Sequence, residues 1–113
     1  MTMTTDSKTD RIRDLNDEFR RTFVGGVVVV TAGVDAMPAE QRKSLLAKVR
    51  AFETFSEDND PHGEHDFGAV DEAGVRYFWK IDNYDRAIEF GSPDPADPAV
   101  TTRVLTIMRA DEY

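Results

Sequence analysis

The amino-acid sequence predicts a single α+β domain in which three helices pack on a small, mainly antiparallel sheet of three to four strands. Two stretches carry apolar residues at helical spacing, and a third has two short apolar runs on either side of a glycine-containing turn. The length of 113 residues suits one domain and not two. We therefore expect the order α-β-α-β-β-(β)-α, with residues 1–9 as a disordered N-terminal tail and residues 10–113 as the single domain.

The N-terminal part of the domain predicts a helix followed by a buried strand. Between Asp10 and Phe23 apolar side chains recur every three or four residues, and Gly25 follows where a helix commonly ends. The arginines of this helix alternate with acidic residues, which is typical of a solvent-exposed, salt-bridged face; they are Arg11, Arg13, Arg20 and Arg21. The run from Val27 to Thr31 is β-branched without polar alternation, which indicates a strand buried on both faces.

The middle of the sequence predicts a second helix, a loop and a hairpin. The helix begins at Pro38, a residue well suited to the first helical turn, and ends within residues 52–55. Residues 56–65 lack periodicity and contain proline and glycine, so they form a loop. The hairpin follows, with Gly74 supplying a positive φ in its turn and with strands at residues 66–70 and 75–82.

The C-terminal part predicts a short strand and a third helix. Residues 88–90 suit a short strand, and the proline-rich residues 91–99 suit a connection. Asp97 followed by Pro98 is a strong helix start, and we expect that helix to continue to about Ala110. The expected core draws on both halves of the chain and comprises Phe19, Val28, Val30, Leu45, Val49, Phe52, Trp79, Ile81, Val104 and Met108.

Composition narrows the classes of function. The chain has 22 acidic and 14 basic residues and a net charge of −8, which argues against direct binding to nucleic-acid phosphates. It has no cysteine, so disulfides, thiolate metal sites and cysteine nucleophiles are excluded. The longest apolar run, Val27 to Val30, is too short for a membrane span or a signal peptide. We expect an acidic, soluble, cytoplasmic protein.

Four stretches together resemble a family of short bacterial proteins. They are GEHDFG (63–68), WKIDNYD (79–85), GSPDPADP (91–98) and RVLTIM (103–108). In these stretches the chain is similar to the bacterial domain of unknown function family 3768, and the resemblance runs from about Arg11 to Tyr113. Family members more often carry tyrosine at the positions of His62 and Asn83. The resemblance implies a complete family member, and it brings no known activity or catalytic residue.

The charge is unevenly distributed along the chain. Residues 1–50 hold seven acids and nine bases, whereas residues 51–113 hold fifteen acids and five bases. The acidic segment, residues 53–72, has no lysine or arginine and carries eight carboxylates: Glu53, Glu57, Asp58, Asp60, Glu64, Asp66, Asp71 and Glu72. We expect it to form a continuous negative surface that binds a basic protein partner, which makes the chain a non-catalytic binding or regulatory module.

Other interpretations of the charge and of the partners stay open. The acidic segment is also compatible with a solvated loop that only keeps the protein soluble. A sharper alternative is an inhibitor that mimics nucleic acid and occupies a DNA-binding protein. We expect no membrane binding, and a monomer or a homodimer joined through an open sheet edge or an exposed helix face.

The densest polar stretch, residues 58–66, contains the candidate metal ligands. They are Asp58, Asp60, His62, Glu64, His65 and Asp66. Read from Asp58, the stretch begins like a calcium loop, but Ala69 stands where the bidentate glutamate is needed. Imidazole and carboxylate ligands also suit zinc or iron, although the proline and glycine near the two histidines oppose a helix that would bring them together. The alternative is a structural role, in which Asp58 and Asp60 cap turns and His65 is hydrogen-bonded beside the hairpin.

The candidate catalytic residues are His65, Asp66, Lys80 and Asp82. We expect these side chains to meet near the hairpin, because polar residues occupy the outer ends of its two paired strands. A partly buried Lys80 could act as a base in a small metal-dependent or acid/base enzyme with its site near residues 65–85. The alternative is a surface ion pair of Lys80 and Asp82. The sequence has no nucleophile motif and identifies no cofactor.

Overall fold

The computed structural model of the protein describes the backbone of residues 5–113 and the side chains of residues 8–113. The helices are α1 (Thr5–Thr22), α2 (Ala32–Asp35) and α3 (Ala39–Arg50). The strands are β1 (Gly26–Val30), β2 (Phe67–Glu72), β3 (Val75–Tyr84) and β4 (Thr102–Arg109). Two short 3₁₀ turns, Pro98–Val100 and Ala110–Glu112, flank β4.

The strands form one four-stranded sheet in the order β1-β4-β3-β2. The β2–β3 hairpin and the β3–β4 pair are antiparallel, and only β1 and β4 run parallel. The predicted class, an α+β domain with three helices and a mainly antiparallel sheet, is confirmed. Among the described residues, no helix is long and apolar enough to cross a membrane.

The core lies between one face of the sheet and the helices. Its fully buried apolar side chains are Phe19, Val34, Leu45, Val49, Trp79, Leu105 and Ile107. Six of the ten expected core residues are buried, namely Phe19, Leu45, Val49, Trp79, Ile81 and Met108. Val28, Phe52 and Val104 are half-buried, and Val30 is exposed. Side chains alternate between the two faces of a strand, so Phe78 and Val104 lie on the other face, which we call the open face.

The open face is partly covered at one end by the C-terminus. The rings of Phe67, Phe78 and Tyr113 form a cluster there, with centroids 5.2 to 6.0 Å apart. Met108 is the register partner of Phe78 and is buried on this face.

The C-terminal helix expected from Pro98 to Ala110 is wrong, because this stretch forms the central strand β4. The predicted start signal is present: Asp97 Oδ1 accepts a hydrogen bond from the Ala99 amide at 2.9 Å. It caps only one 3₁₀ turn, which ends at Val100. The following residues are rich in β-branched side chains, which favour a strand. Apolar residues occupy both faces of β4, and this pattern imitates a helical stripe.

The strand expected at residues 27–31 exists, but its burial on both faces is wrong. β1 is an edge strand, and Val27, Val29 and Val30 are exposed. The four valines therefore reflect β propensity rather than a place at the centre of the sheet.

Other boundaries also differ. The helix expected from Asp10 begins at Thr5, so residues 5–9 of the expected disordered tail lie in α1, and residues 1–4 lie outside the described residues. Residues 88–90 lie in a loop and not in a strand, and the Asp85 amide closes this loop by donating to the Phe90 carbonyl at 2.8 Å. The short α2 was not expected from the sequence.

Candidate functional site

His65 lies at the centre of a largely buried polar network. Its Nδ1 atom lies 2.9 and 3.0 Å from the two carboxylate oxygens of Asp17, and its Nε2 atom lies 3.5 Å from Oδ2 of Asp60. Its ring stacks on Phe55, with centroids 3.7 Å apart and planes 2° apart. Because both ring nitrogens face carboxylates of the chain itself, the imidazole joins α1 to the loop after α3.

The backbone of His65 is strained in the same place. Its φ of 53° is in the left-handed region that residues other than glycine rarely adopt. The His65 amide donates to Oδ1 of Asp60 at 3.1 Å, so Asp60 holds both the backbone and the ring. Asp60 is therefore an internal structural residue, as the turn-capping alternative expected.

Arg20 is the cationic partner of this network. Its side chain has no exposed surface, and it donates to the Val49 carbonyl at 3.1 Å, to the Phe52 carbonyl at 2.9 Å and to Asp17 Oδ1 at 3.0 Å. The guanidinium also lies over the ring of Trp79, 5.0 Å from its centroid. Burial lowers the pKa of Arg20 from its ordinary value, while the bond to Asp17 opposes that shift. The expectation that Arg20 belongs to a solvated helix face is therefore wrong.

A second arm of the network ties the C-terminal half to α1. Asn16 donates to the Glu64 carbonyl at 2.9 Å and accepts from Nε of Arg103 at 2.9 Å. Arg103 is also buried and donates to the carbonyl of Pro95. Three of the stretches that carry the family resemblance, GEHDFG, GSPDPADP and RVLTIM, thus meet around α1. Of their polar side chains, His65 and Arg103 take part in the network, while Glu64 and Pro95 contribute backbone carbonyls.

The candidate metal ligands are dispersed by this arrangement. Asp58 and His62 are exposed, whereas Asp60 and His65 bind each other. Burial raises the pKa of Glu64 and of Asp66, each of which also feels the negative charge of Asp60. Within the described part of the chain, no three histidine or carboxylate side chains are grouped so that they could hold a metal ion.

The candidate catalytic residues Lys80 and Asp82 form one group and His65 lies in another, while Asp66 feels the charges of both Asp60 and Asp82. Lys80 Nζ lies 3.2 Å from Asp82 Oδ2, and alternation along β3 places both with Phe78 on the open face. His65 stacks on Phe55, which packs against core Trp79 on the helix side of the sheet. The Asp66 carbonyl accepts from the Ile81 amide at 2.8 Å, which continues the β2–β3 pairing. Residues 5–113 enclose no pocket between these two groups.

The acidic segment does not form one continuous negative surface. At the hairpin end, Glu72 Oε1 lies 2.8 Å from Lys48 Nζ and accepts from the Ser44 hydroxyl at 2.6 Å. Asp71 pairs with Arg76 at 3.1 Å. Hydrogen bonds from these partners hold the pKa of Asp71 and of Glu72 below their ordinary values. This end of the segment is thus neutralised by bases from α3 and β3.

The other end of the segment, residues 53–60, is the acidic loop. Glu53, Glu57 and Asp58 are exposed there. Asn59 shapes the loop from within: its Oδ1 accepts from the Ser56 amide and its Nδ2 donates to the Thr54 carbonyl, each at 2.8 Å. The loop is closed by the Asp60 amide, which donates to the Ser56 carbonyl at 2.8 Å.

Sequence reasoning missed the α1 side of the network. Asp17 and His65 are 48 positions apart, so no local motif joins them. One signal was present in the sequence: Asn16 and Arg20 lie four and eight positions after Ile12, on the stripe that was predicted to be buried.

Comparison with known proteins gives one match. The model of a family described as "Protein of unknown function (DUF3768)" matches residues 30–112. The match covers α2, α3 and all strands except most of β1, and it leaves out α1 with Asn16, Asp17 and Arg20. No curated protein and no solved structure matches the chain.

Proposed function

This chain belongs to the DUF3768 family, and we propose that it is a non-catalytic binding module that engages a basic protein partner through its acidic loop, residues 53–60. The observation that carries the proposal is the exposure of three carboxylates, Glu53, Glu57 and Asp58, on a loop whose backbone is held by internal hydrogen bonds. A binding surface that is already ordered loses less entropy when the partner binds.

Electrostatics support this choice of surface. Among the described side chains, no ion pair involves these three carboxylates, whereas Asp71, Glu72 and Asp94 each have a basic partner. Free carboxylates of one sign attract a basic partner over a distance and raise the association rate. The Asp60 end of the loop is also fixed to α1 through His65.

The internal roles of the chemically versatile side chains support a non-catalytic module. His65 and Arg20 are engaged within the network, and Lys80 is paired with Asp82. The proposal places the chain in the cytoplasm, where a cysteine-free, acidic protein of this kind would meet its partner.

Charge reversal on the loop tests the proposal. The variant Glu53→Lys with Glu57→Lys and Asp58→Lys is immobilised and exposed to an extract of the source cells. The matched control, Glu18→Lys with Asp35→Lys and Glu89→Lys, changes the same number of exposed carboxylates elsewhere. Asp60 is left unchanged because it is buried and holds His65.

We expect wild type and control to retain the same basic protein, and the loop variant to lose it. Retention by wild type should fall steeply as the salt concentration rises. Equal retention by both triple variants, together with indifference to salt, would show that the acidic loop is only a solvated loop. Release of the retained protein by duplex DNA would instead favour the nucleic-acid-mimicking inhibitor.

A further inference from the structure

The edge of the sheet formed by β1 has no neighbouring strand among the described residues. β1 pairs with β4 on one side only and lies at the opposite edge from β2. Val27 and Val29, on the open face, are 43% and 40% exposed. An exposed, apolar edge strand is a template for pairing with another strand.

The pairing with β4 determines which backbone groups of β1 face this edge. The Thr31 amide donates to the Ile107 carbonyl at 3.1 Å, so Thr31 directs its backbone groups toward β4. In a parallel pair, alternate residues of a strand direct both groups to the same side. Gly26, Val28 and Val30 therefore direct their N–H and C=O groups away from β4, toward the open edge.

We propose that β1 pairs antiparallel with β1 of a second copy of this chain, about a two-fold axis at Val28, so that two sheets join into one. The outward groups are spaced symmetrically about Val28. Val28 then faces Val28 of the second copy, and Gly26 faces Val30. Each such pair exchanges both of its N–H···O=C bonds, which gives about six hydrogen bonds across the interface. The surface is self-complementary, as a two-fold dimer requires.

The charge distribution favours β1 as the edge at which a second copy can pair. Residues 24–34 contain no charged side chain, although the whole chain carries a net charge of −8. The end of the acidic segment lies on β2, which forms the other edge of the sheet. Pairing through β1 therefore joins the neutral edges of the two copies. Pairing through β2 would instead bring the charged side chains of Asp71 and Glu72 into the interface.

The dimer is reversible. Stable interfaces bury about 800 Å² on each partner, and a five-residue edge supplies less than that. We expect a dissociation constant in the micromolar range or weaker. This surface is separate from the acidic loop. A negative result for the dimer therefore leaves the proposed binding of a basic partner untouched, and the reverse also holds.

A charge-pairing experiment tests the register. In the proposed pairing Val27 lies directly opposite Val29 of the second copy. Val27→Lys with Val29→Lys places like charges opposite each other twice, whereas Val27→Lys with Val29→Glu places opposite charges there. Both variants replace the same two exposed valines, and thermal denaturation verifies that both are folded at the temperature of the measurement.

Sedimentation velocity over a concentration series is the measurement. We expect wild type to self-associate, the Lys/Lys variant to have a dissociation constant at least about tenfold higher than the Lys/Glu variant, and the Lys/Glu variant to stay near wild type. A monomeric wild type at all concentrations, or equal association of the two folded variants, would overturn the proposal.

Disulfide trapping gives a second, independent readout. The chain has no cysteine, and Val28 is the one position that the two-fold axis places opposite itself. The Cα atoms of such a hydrogen-bonded pair lie about 5.5 Å apart, within the range that a disulfide spans. Val28→Cys should therefore form a covalent dimer on mild oxidation, faster than the highly exposed control Val24→Cys. Faster cross-linking of the control would contradict the two-fold axis at Val28.

Discussion

At the scale of single residues, Arg20 has a structural role that its residue type does not suggest, because arginine side chains are mostly exposed. Its guanidinium satisfies two backbone carbonyls and the buried Asp17 carboxylate. Removing one member of a buried ion pair leaves the other charge uncompensated, which costs about 3–5 kcal/mol. We expect Arg20→Ala to lower the free energy of unfolding by that amount, measured by urea denaturation.

Two further variants separate charge from geometry at this position. Arg20→Lys keeps the charge but loses the planar set of donors, so we expect a substantial loss of stability here as well. The exposed neighbour Arg21 is the control, and Arg21→Ala should change stability by less than about 0.5 kcal/mol. Similar losses for Arg20→Ala and Arg21→Ala would show that the buried network contributes little.

Asp66 gives the protein a dependence on pH. Burial, together with the charges of Asp60 and Asp82, raises the pKa of Asp66 in the folded state. The folded state therefore holds this proton more tightly than the unfolded state, and ionisation of Asp66 destabilises the fold. That destabilisation is complete above the raised pKa and disappears as the pH falls toward the ordinary value of 3.8.

Substitution of Asp66 by its amide tests this assignment. Asp66→Asn should raise the melting temperature at neutral pH, and the difference from wild type should shrink as the pH approaches 4, where we expect about no difference. Asp58→Asn removes an exposed carboxylate from the same stretch and should leave the melting temperature nearly unchanged. An Asp66→Asn protein that melts below wild type at neutral pH would contradict the account.

At the scale of elements, the hairpin depends on a close contact between β2 and β3. A Cβ atom on Gly68 would lie 2.5 Å from Nε1 of the buried Trp79 and 2.9 Å from the ring of Phe52. Gly68→Ala should therefore cost about 1–3 kcal/mol and shift the Trp79 fluorescence, because overpacking displaces the core. Gly91→Ala, where a Cβ meets open space, is the matched control and should be close to neutral. Equal stabilities of the two variants would mean that the contact relaxes without cost.

The helices and strands show which parts of the fold a local sequence pattern can predict. The sequence predicted α3 and the hairpin, because their apolar spacing and turn residues have only one good interpretation. It failed at β4, since Met108 is buried on the open face while Leu105 and Ile107 face the core. A strand with apolar residues on both faces cannot be distinguished by periodicity from a helix.

For the candidate site, too, the sequence shows residues that are close along the chain but not their distant partners. His65 and Asp60 were identified from a local cluster, and the structure places them together. Their partners Asp17 and Arg20 come from α1, far away in sequence, and a charged residue on a predicted amphipathic helix is ordinarily assigned to the solvent face. Only tertiary packing turns Arg20 inward. The sequence therefore identified Asp60 and His65, on the loop side of the network, as candidate metal ligands, and it missed the residues of α1.

At the scale of the whole molecule, the two edges of the sheet differ in the number of charged side chains that they carry. The neutral edge β1 is at one side, and β2 with the end of the acidic segment is at the other. Some bases of the N-terminal half pair on the surface with acids of the C-terminal half, since Lys48 pairs with Glu72 and Lys8 with Asp94, at 2.8 and 3.1 Å. The surface thus carries, among its other charges, an acidic loop with exposed carboxylates and an uncharged strand edge.

These two surfaces should respond to salt in opposite directions. Attraction between the acidic loop and a basic partner is screened by salt, so retention of the partner falls as the salt concentration rises. Self-association through β1 brings together two chains of net charge −8, and salt screens their repulsion, so the dimer strengthens over the same range. Partner retention and sedimentation velocity in one salt series measure both slopes. A dimer that weakens with salt would be held by attraction between charges, which the uncharged β1 edge does not provide.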